Sequence, residues 1–124
     1  MMRAVPKKDT TPELIVRRCA HRLGLRFRLH RKDLPGTPDI VFPKYRTVIF
    51  VHGCFWHRHN NCRFATMPSS RITFWQSKFD ANVKRDLSNV EALERRGWIV
   101  HVIWECETKD TVNLKKKLLS IFQT

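Results

Sequence analysis

Apolar positions along the chain switch between a helical and a strand period, and the switches mark out the elements. Ile15, Cys19 and Leu23, with Val16 and Ala20, form a helical stripe. Thr11 suits the N-cap, Pro12 the first helical position, and Gly24 the close. Leu25, Phe27 and Leu29 then alternate with Arg26, Arg28 and His30, which predicts a half-exposed strand with a basic outer face. A Pro/Gly turn at 32–38 leads into two strands, 39–42 and 47–51, around Pro43-Lys44-Tyr45-Arg46. The second is apolar, as expected of a central strand covered on both faces. A His/Cys-rich loop follows, then a long helix over 73–96, whose Phe74, Phe79, Val83, Leu87, Val90 and Leu93 predict one buried face. Gly97 ends it; 98–104 reads as a strand buried on both faces, and 111–122 as a closing helix carrying Leu114, Leu118, Ile121 and Phe122. The order predicts one α/β domain over 11–124, a mixed sheet between helices, preceded by a polar arm at 1–10.

Composition narrows the class. The 124 residues suit one core, and 42% hydrophobic content is too high for a solvated polybasic tail. No apolar run approaches the roughly 20 residues of a membrane helix, and the first eight residues lack a signal-like apolar segment. Secreted, membrane-spanning and disordered classes are disfavoured. The 24 Lys+Arg against 11 Asp+Glu give +13, spread over Arg17/Arg18, Arg26/Arg28/Arg31/Lys32, Lys84/Arg85, Arg95/Arg96 and Lys115–Lys117. A folded surface facing a polyanion accounts for that distribution better than a detachable basic tail.

Three of the four cysteines sit with histidines or at a strand end. Cys54-Phe55-Trp56-His57-Arg58-His59-Asn60-Asn61-Cys62 gathers soft and borderline donors on one short loop. Cys54 and Cys62, with His57 or His59, supply three ligands of a tetrahedral Zn²⁺ site, and Cys106 the fourth. Such a metal would order a loop with little regular structure of its own. Cys19 belongs to the buried face of the first helix.

Pro38-Asp39 puts a carboxylate at a strand end, and the next strand delivers His52 and His57 past its own end. An acid for Mg²⁺, a base for water and cations for phosphate are the parts that metal-dependent phosphodiester hydrolysis needs. Singly each is ordinary: Asp39 as a turn residue, Glu13 as a helix-dipole acid paired i,i+4 with Arg17. His21, His30 and His101 receive no role. The stretches Leu34-Pro35-Gly36-Thr37-Pro38-Asp39-Ile40-Val41, Val48-Ile49-Phe50-Val51-His52-Gly53-Cys54-Phe55-Trp56-His57 and Ile103-Trp104-Glu105-Cys106 closely resemble the very-short-patch repair (Vsr) mismatch endonucleases. The resemblance runs from Met2 to about Lys109 and implies a restriction-endonuclease-like fold in which histidine replaces the usual lysine.

By that resemblance, Asp39 binds catalytic Mg²⁺, joined by the main-chain carbonyl of Val51; Glu13 holds metal-bound waters. His57 activates water or relays its proton, and His52 lies near the phosphate. Cys54, His59, Cys62 and Cys106 become the structural zinc ligands, which leaves His57 for catalysis. Phe55 and Trp56 match aromatics that wedge into the duplex, Met2-Arg3 an arm in the opposite groove, and Lys78 and Asn82 residues facing the mismatch. Three features depart from the family pattern: a shorter stretch before Met2-Arg3, seven residues between Cys54 and Cys62, and Val51 where some members carry Thr. The implied activity is Mg²⁺-dependent nicking 5′ to the thymine of a T·G mismatch, the lesion left by deaminated 5-methylcytosine. The implied setting is double-stranded DNA in the bacterial cytoplasm and nucleoid, a functional link to a DNA cytosine methyltransferase, a monomer by default, and no membrane. Two other readings are a restriction-type endonuclease on matched duplex and a non-catalytic zinc-stabilised nucleic-acid-binding module.

Overall fold

The computed structural model describes residues 10–123. Helix α1 (Thr11–Arg22) begins one residue earlier than the sequence suggests. Thr10, not Thr11, is the N-cap: its backbone is extended, and its side chain accepts the Glu13 N–H at 3.4 Å. Of the expected arm, 1–9 lie outside the described residues, and Thr10 belongs to the helix start. Gly24, at φ +77°, turns the chain out of α1.

Four strands follow the order β1-β2-β3-β4: β1 (Arg28–Leu29), β2 (Ile40–Phe42), β3 (Thr47–His52) and β4 (Ile99–Trp104). The first two pairings are antiparallel, while β3 and β4 are parallel in a register running from Thr47↔Ile99 to His52↔Trp104. Helix α2 (Ile72–Arg95) lies in the crossover between them, and α3 (Thr111–Ile121) closes the described chain. The mixed sheet between helices is the expected architecture. No helix among the described residues is long and apolar enough to cross a membrane.

The alternation along the central strands divides the core in two. Ile40, Phe42, Ile49 and Ile103 join Val16 and Ala20 of α1 and Leu114 and Leu118 of α3. Val41, Val48 and Phe50 join Leu34, Leu93 of α2 and Trp98. Helices therefore cover both faces, and β3 is buried along nearly its whole length, as its apolar run predicts.

Three expectations need correction. Strand β1 spans two residues rather than the six of 25–30; Leu25 and Phe27 still pack against the core, but outside the ladder. Strand β4 is an edge strand in the observed order, so it is only partly covered: Ile103 is buried while Ile99 is 54% exposed. Along α2, Phe79 and Leu93 are buried, but Phe74, Val83 and Leu87 are exposed, Leu87 at 60%. The cause is geometric. Leu93 packs on the sheet, whereas Phe79, further up the helix, packs on Phe55 of the His/Cys loop at 5.2 Å, so no single surface faces the whole stripe.

Candidate active site and metal clusters

Two groups of side chains are placed along the C-terminal half of β3, through Val51 and His52, and a third follows the end of the neighbouring strand. The first is acidic. Glu13, in the first turn of α1, is 2% exposed, and Asp39 immediately precedes β2. The antiparallel pairing carries Asp39 to Val51, whose N–H donates to Asp39 Oδ2 at 2.7 Å. Burial pushes the Asp39 carboxyl up to about 7; the Val51 N–H opposes this, and Glu13 raises it further. Two largely buried carboxylates on facing elements repel, Arg17 offsets part of that charge, and their oxygen donors fit a divalent ion. Arg17 Nη2 donates to Glu13 Oε2 at 3.1 Å, the expected i,i+4 pair. His30 joins them, with Nε2 3.4 Å from Glu13 Oε2 and 3.0 Å from Arg17 Nη2. One ligand atom from each of Glu13, His30 and Asp39 falls within 4.8 Å of the others.

The second group is built on histidine. His52 ends β3, is buried, and stacks on His57 with ring centroids 3.9 Å apart and planes 6° from parallel. Burial, and then His57, lower the His52 pKa to about 4, so the ring is neutral at neutral pH. His57 Nδ1 lies 2.6 Å from Asp86 Oδ2 of α2. A carboxylate there assigns the proton to Nδ1 and leaves Nε2 with the lone pair, the tautomer a general base requires.

Cys54, His59, Cys62 and Cys106 form the third group, with one ligand atom from each within 4.8 Å of the rest. His59 Nδ1 is 3.7 Å from Cys54 Sγ and 3.5 Å from Cys106 Sγ. A tetrahedral ion with ordinary Zn–S and Zn–N bonds holds its donors about 3.6 Å apart, so these residues fit such an ion. Burial pushes the Cys54 thiol up to about 12, so it is a neutral thiol unless a cation stabilises its thiolate. His59 also stacks on Trp104 at 4.2 Å. The spacing left His57 or His59 open; His59 stands in the cluster and His57 beside Asp86.

The aromatics form one patch. Phe55 meets Trp56 at 5.1 Å, Trp75 at 5.9 Å and Phe79 at 5.2 Å, and Trp56 meets Trp75 at 5.8 Å. Arg58 covers Phe79 at 4.0 Å and donates to the carbonyls of Phe55, Ala65 and Thr66, tying the loop to α2. Asn82 donates to the Trp56 carbonyl at 3.4 Å, and Lys78 is exposed, its Nζ 5.7 Å from the Phe74 ring. Met2 and Arg3 lie outside the described residues. The sequence pattern gives no role to Asp86 or His30. Asp86 is one helical turn beyond Asn82, a weak signal; nothing local announces His30, which turns inward only because its backbone is left-handed, at φ +49°.

Comparison with known proteins follows the same lines. The family profile described as "DNA mismatch endonuclease Vsr" matches residues 1–63. The chain is 52% identical over 121 residues to "Type II nicking enzyme V.XorIIP" of Xanthomonas oryzae pv. oryzae, covering 98% of this chain and 88% of the relative. It is 41% identical to "Type II nicking enzyme V.NmeAIP" of Neisseria meningitidis, over 95% of this chain and 84% of the relative. It is 40% identical to "DNA mismatch endonuclease Vsr" of Escherichia coli, over 96% of this chain and 76% of the relative. Fold and matches together define a DNA endonuclease of the restriction-endonuclease-like class. Within that class, the chain belongs to the Vsr family of DNA mismatch endonucleases.

Proposed function

We propose that the chain is a Mg²⁺-dependent endonuclease that nicks DNA 5′ to the thymine of a T·G mismatch. The observation that carries the proposal is that consecutive residues at the end of β3 anchor both groups: Val51 holds Asp39 of the acid pair, and His52 stacks on His57 of the His57–Asp86 dyad. The words "nicking enzyme" in two relatives' names support a single-strand cut over a double-strand one.

In this reading Asp39, the Val51 carbonyl and waters held by Glu13 bind the cation, which when bound supplies charge stabilisation at the phosphoryl group. His57 Nε2 takes the proton of the attacking water, directly or by relay, while Asp86 keeps Nδ1 protonated and stabilises the imidazolium that forms. Oxygen of that water bonds to phosphorus as the P–O3′ bond breaks, and the leaving O3′ takes a proton from solvent, which gives a 5′-phosphate on the thymine and a 3′-hydroxyl upstream. His52, neutral and stacked on His57, donates to a phosphate oxygen and holds the His57 ring in place. Cys54, His59, Cys62 and Cys106 hold Zn²⁺ and thereby fix the loop that carries His57. Phe55 and Trp56, backed by Trp75 and Phe79, wedge beside the mispair, where a step costs less to open. Lys78 and Asn82 face the T·G pair, and Met2 and Arg3 reach the opposite groove. The protein acts as a monomer in the bacterial cytoplasm, downstream of a cytosine methyltransferase. Asp39→Asn and His57→Ala, assayed on labelled T·G duplex with and without Mg²⁺, test the assignment. Each is expected to abolish nicking while DNA binding persists; full activity in either refutes its role.

A further inference from the structure

We infer that His30 is a nitrogen ligand to the cation held by Asp39 directly and by Glu13 through water, so that this chain selects Mn²⁺ over Mg²⁺ more strongly than its oxygen ligands alone would. The inference rests on the cation reading of Glu13 and Asp39 given above. Three observations bear on it. His30 adopts a left-handed backbone that a residue with a Cβ rarely takes, and its N–H donates to the Asp39 carbonyl at 3.3 Å, which anchors it beside the acid. Its Nε2 lies 3.4 Å from Glu13 Oε2, and one ligand atom from each of Glu13, His30 and Asp39 falls within 4.8 Å of the others. Finally, Arg17 Nη2 stands 3.0 Å from that nitrogen and 3.1 Å from Glu13 Oε2. A guanidinium can only donate, so Nε2 presents its lone pair to the position where positive charge already sits. An entering cation substitutes for Arg17 at Nε2 and for part of its charge at Glu13. Oxygen donors alone suit Mg²⁺, whereas an added imidazole favours borderline transition ions.

The test uses the full-length, zinc-loaded protein and Mn²⁺ alone. Electron spin-echo spectroscopy of bound Mn²⁺ reads directly coordinated imidazole nitrogen, and Mn²⁺ and Mg²⁺ affinities come from titration and competition. His30→Asn is the variant of choice, because Asn tolerates the left-handed backbone. The expected result is nitrogen coupling in the unaltered protein, its loss in His30→Asn, about tenfold weaker Mn²⁺ binding, and Mg²⁺ binding changed less than about twofold. Absence of nitrogen coupling in the unaltered protein, its persistence in His30→Asn, or equal loss for both cations would overturn the inference. Asp39→Asn separates the two layers. Loss of Mn²⁺ binding there sustains the carboxylate site whatever His30 does; unchanged Mn²⁺ binding removes the site, and the inference with it.

Discussion

Replacing Asp86 by Asn keeps the shape of the dyad and removes its charge. The bond it disturbs, 2.6 Å from His57 Nδ1, is charge-assisted, and the two side chains are 29% and 25% exposed. Hydrogen bonds to charged groups contribute about 1.5–3 kcal/mol net, and partial exposure places this one near about 2 kcal/mol. Since about 1.4 kcal/mol is tenfold in rate, the expected loss in single-turnover nicking of a T·G duplex is about 30-fold. It grows toward about 10³-fold where the Asn amide donates to Nδ1 and holds the wrong tautomer. If the dyad faces the phosphate as proposed, removing its negative charge leaves binding equal or tighter, so the Kd for uncleaved duplex should be equal or lower. In a His57→Ala background the added Asp86→Asn should cost less than about twofold, because both changes disable one unit. A single-turnover rate within about threefold of the unaltered protein would refute the positioning role, and so would full additivity with His57→Ala.

Other consequences concern stability and metal. His52 has its pKa lowered from 6.5 to about 4 in the folded state, so its contribution to stability is complete above pH 6.5 and is lost as pH falls toward 4. That window is worth at most about 3 kcal/mol; urea midpoints of the unaltered protein and His52→Gln should converge as pH drops through it, and a constant gap would contradict the assignment. Cys106→Ser should remove bound metal, measured by elemental analysis, and lower Tm, because the free energy of metal binding that orders the Cys54–Cys62 loop is lost with the fourth ligand; unchanged metal content would contradict the cluster. Leu93→Ala should cost about 2–5 kcal/mol at a fully buried site, whereas Leu87→Lys, on the exposed part of α2, should stay within about 0.5 kcal/mol, both read by chemical denaturation.

The parts of this fold that were legible in the sequence are those fixed by local pattern. The apolar run at 47–51 is the buried β3, and the stripe around Val16 and Ala20 faces the core. Phe27 and Leu29 follow a strand period, yet only Arg28–Leu29 enter the ladder, because pairing depends on where β2 begins. Likewise 98–104 has the composition of a central strand, but the order of the sheet, which periodicity does not encode, leaves β4 at the edge. Helix α2 misled for a related reason: its stripe is continuous, but its neighbours change from the sheet at Leu93 to the loop aromatics at Phe79. At the site, Asp39, His57 and the Cys54, His59 and Cys62 donors stand in contiguous motifs, while Cys106 lies 47 residues beyond His59. Asp86 lies 29 residues beyond His57, and His30 depends on one left-handed residue, so their juxtapositions belong to the tertiary fold.

The central claim, that the acid pair and the His57 dyad nick one strand at a mispair, meets its most direct test in strand-specific cleavage. Duplexes labelled on each strand and differing only in T·G versus C·G at one position are incubated with and without Mg²⁺ in several flanking contexts. The account predicts a Mg²⁺-dependent nick immediately 5′ to the mispaired thymine, with a 5′-phosphate on that thymine, and intact C·G duplex. Equal cutting of both duplexes, or tight binding with no cut under any condition, would contradict it.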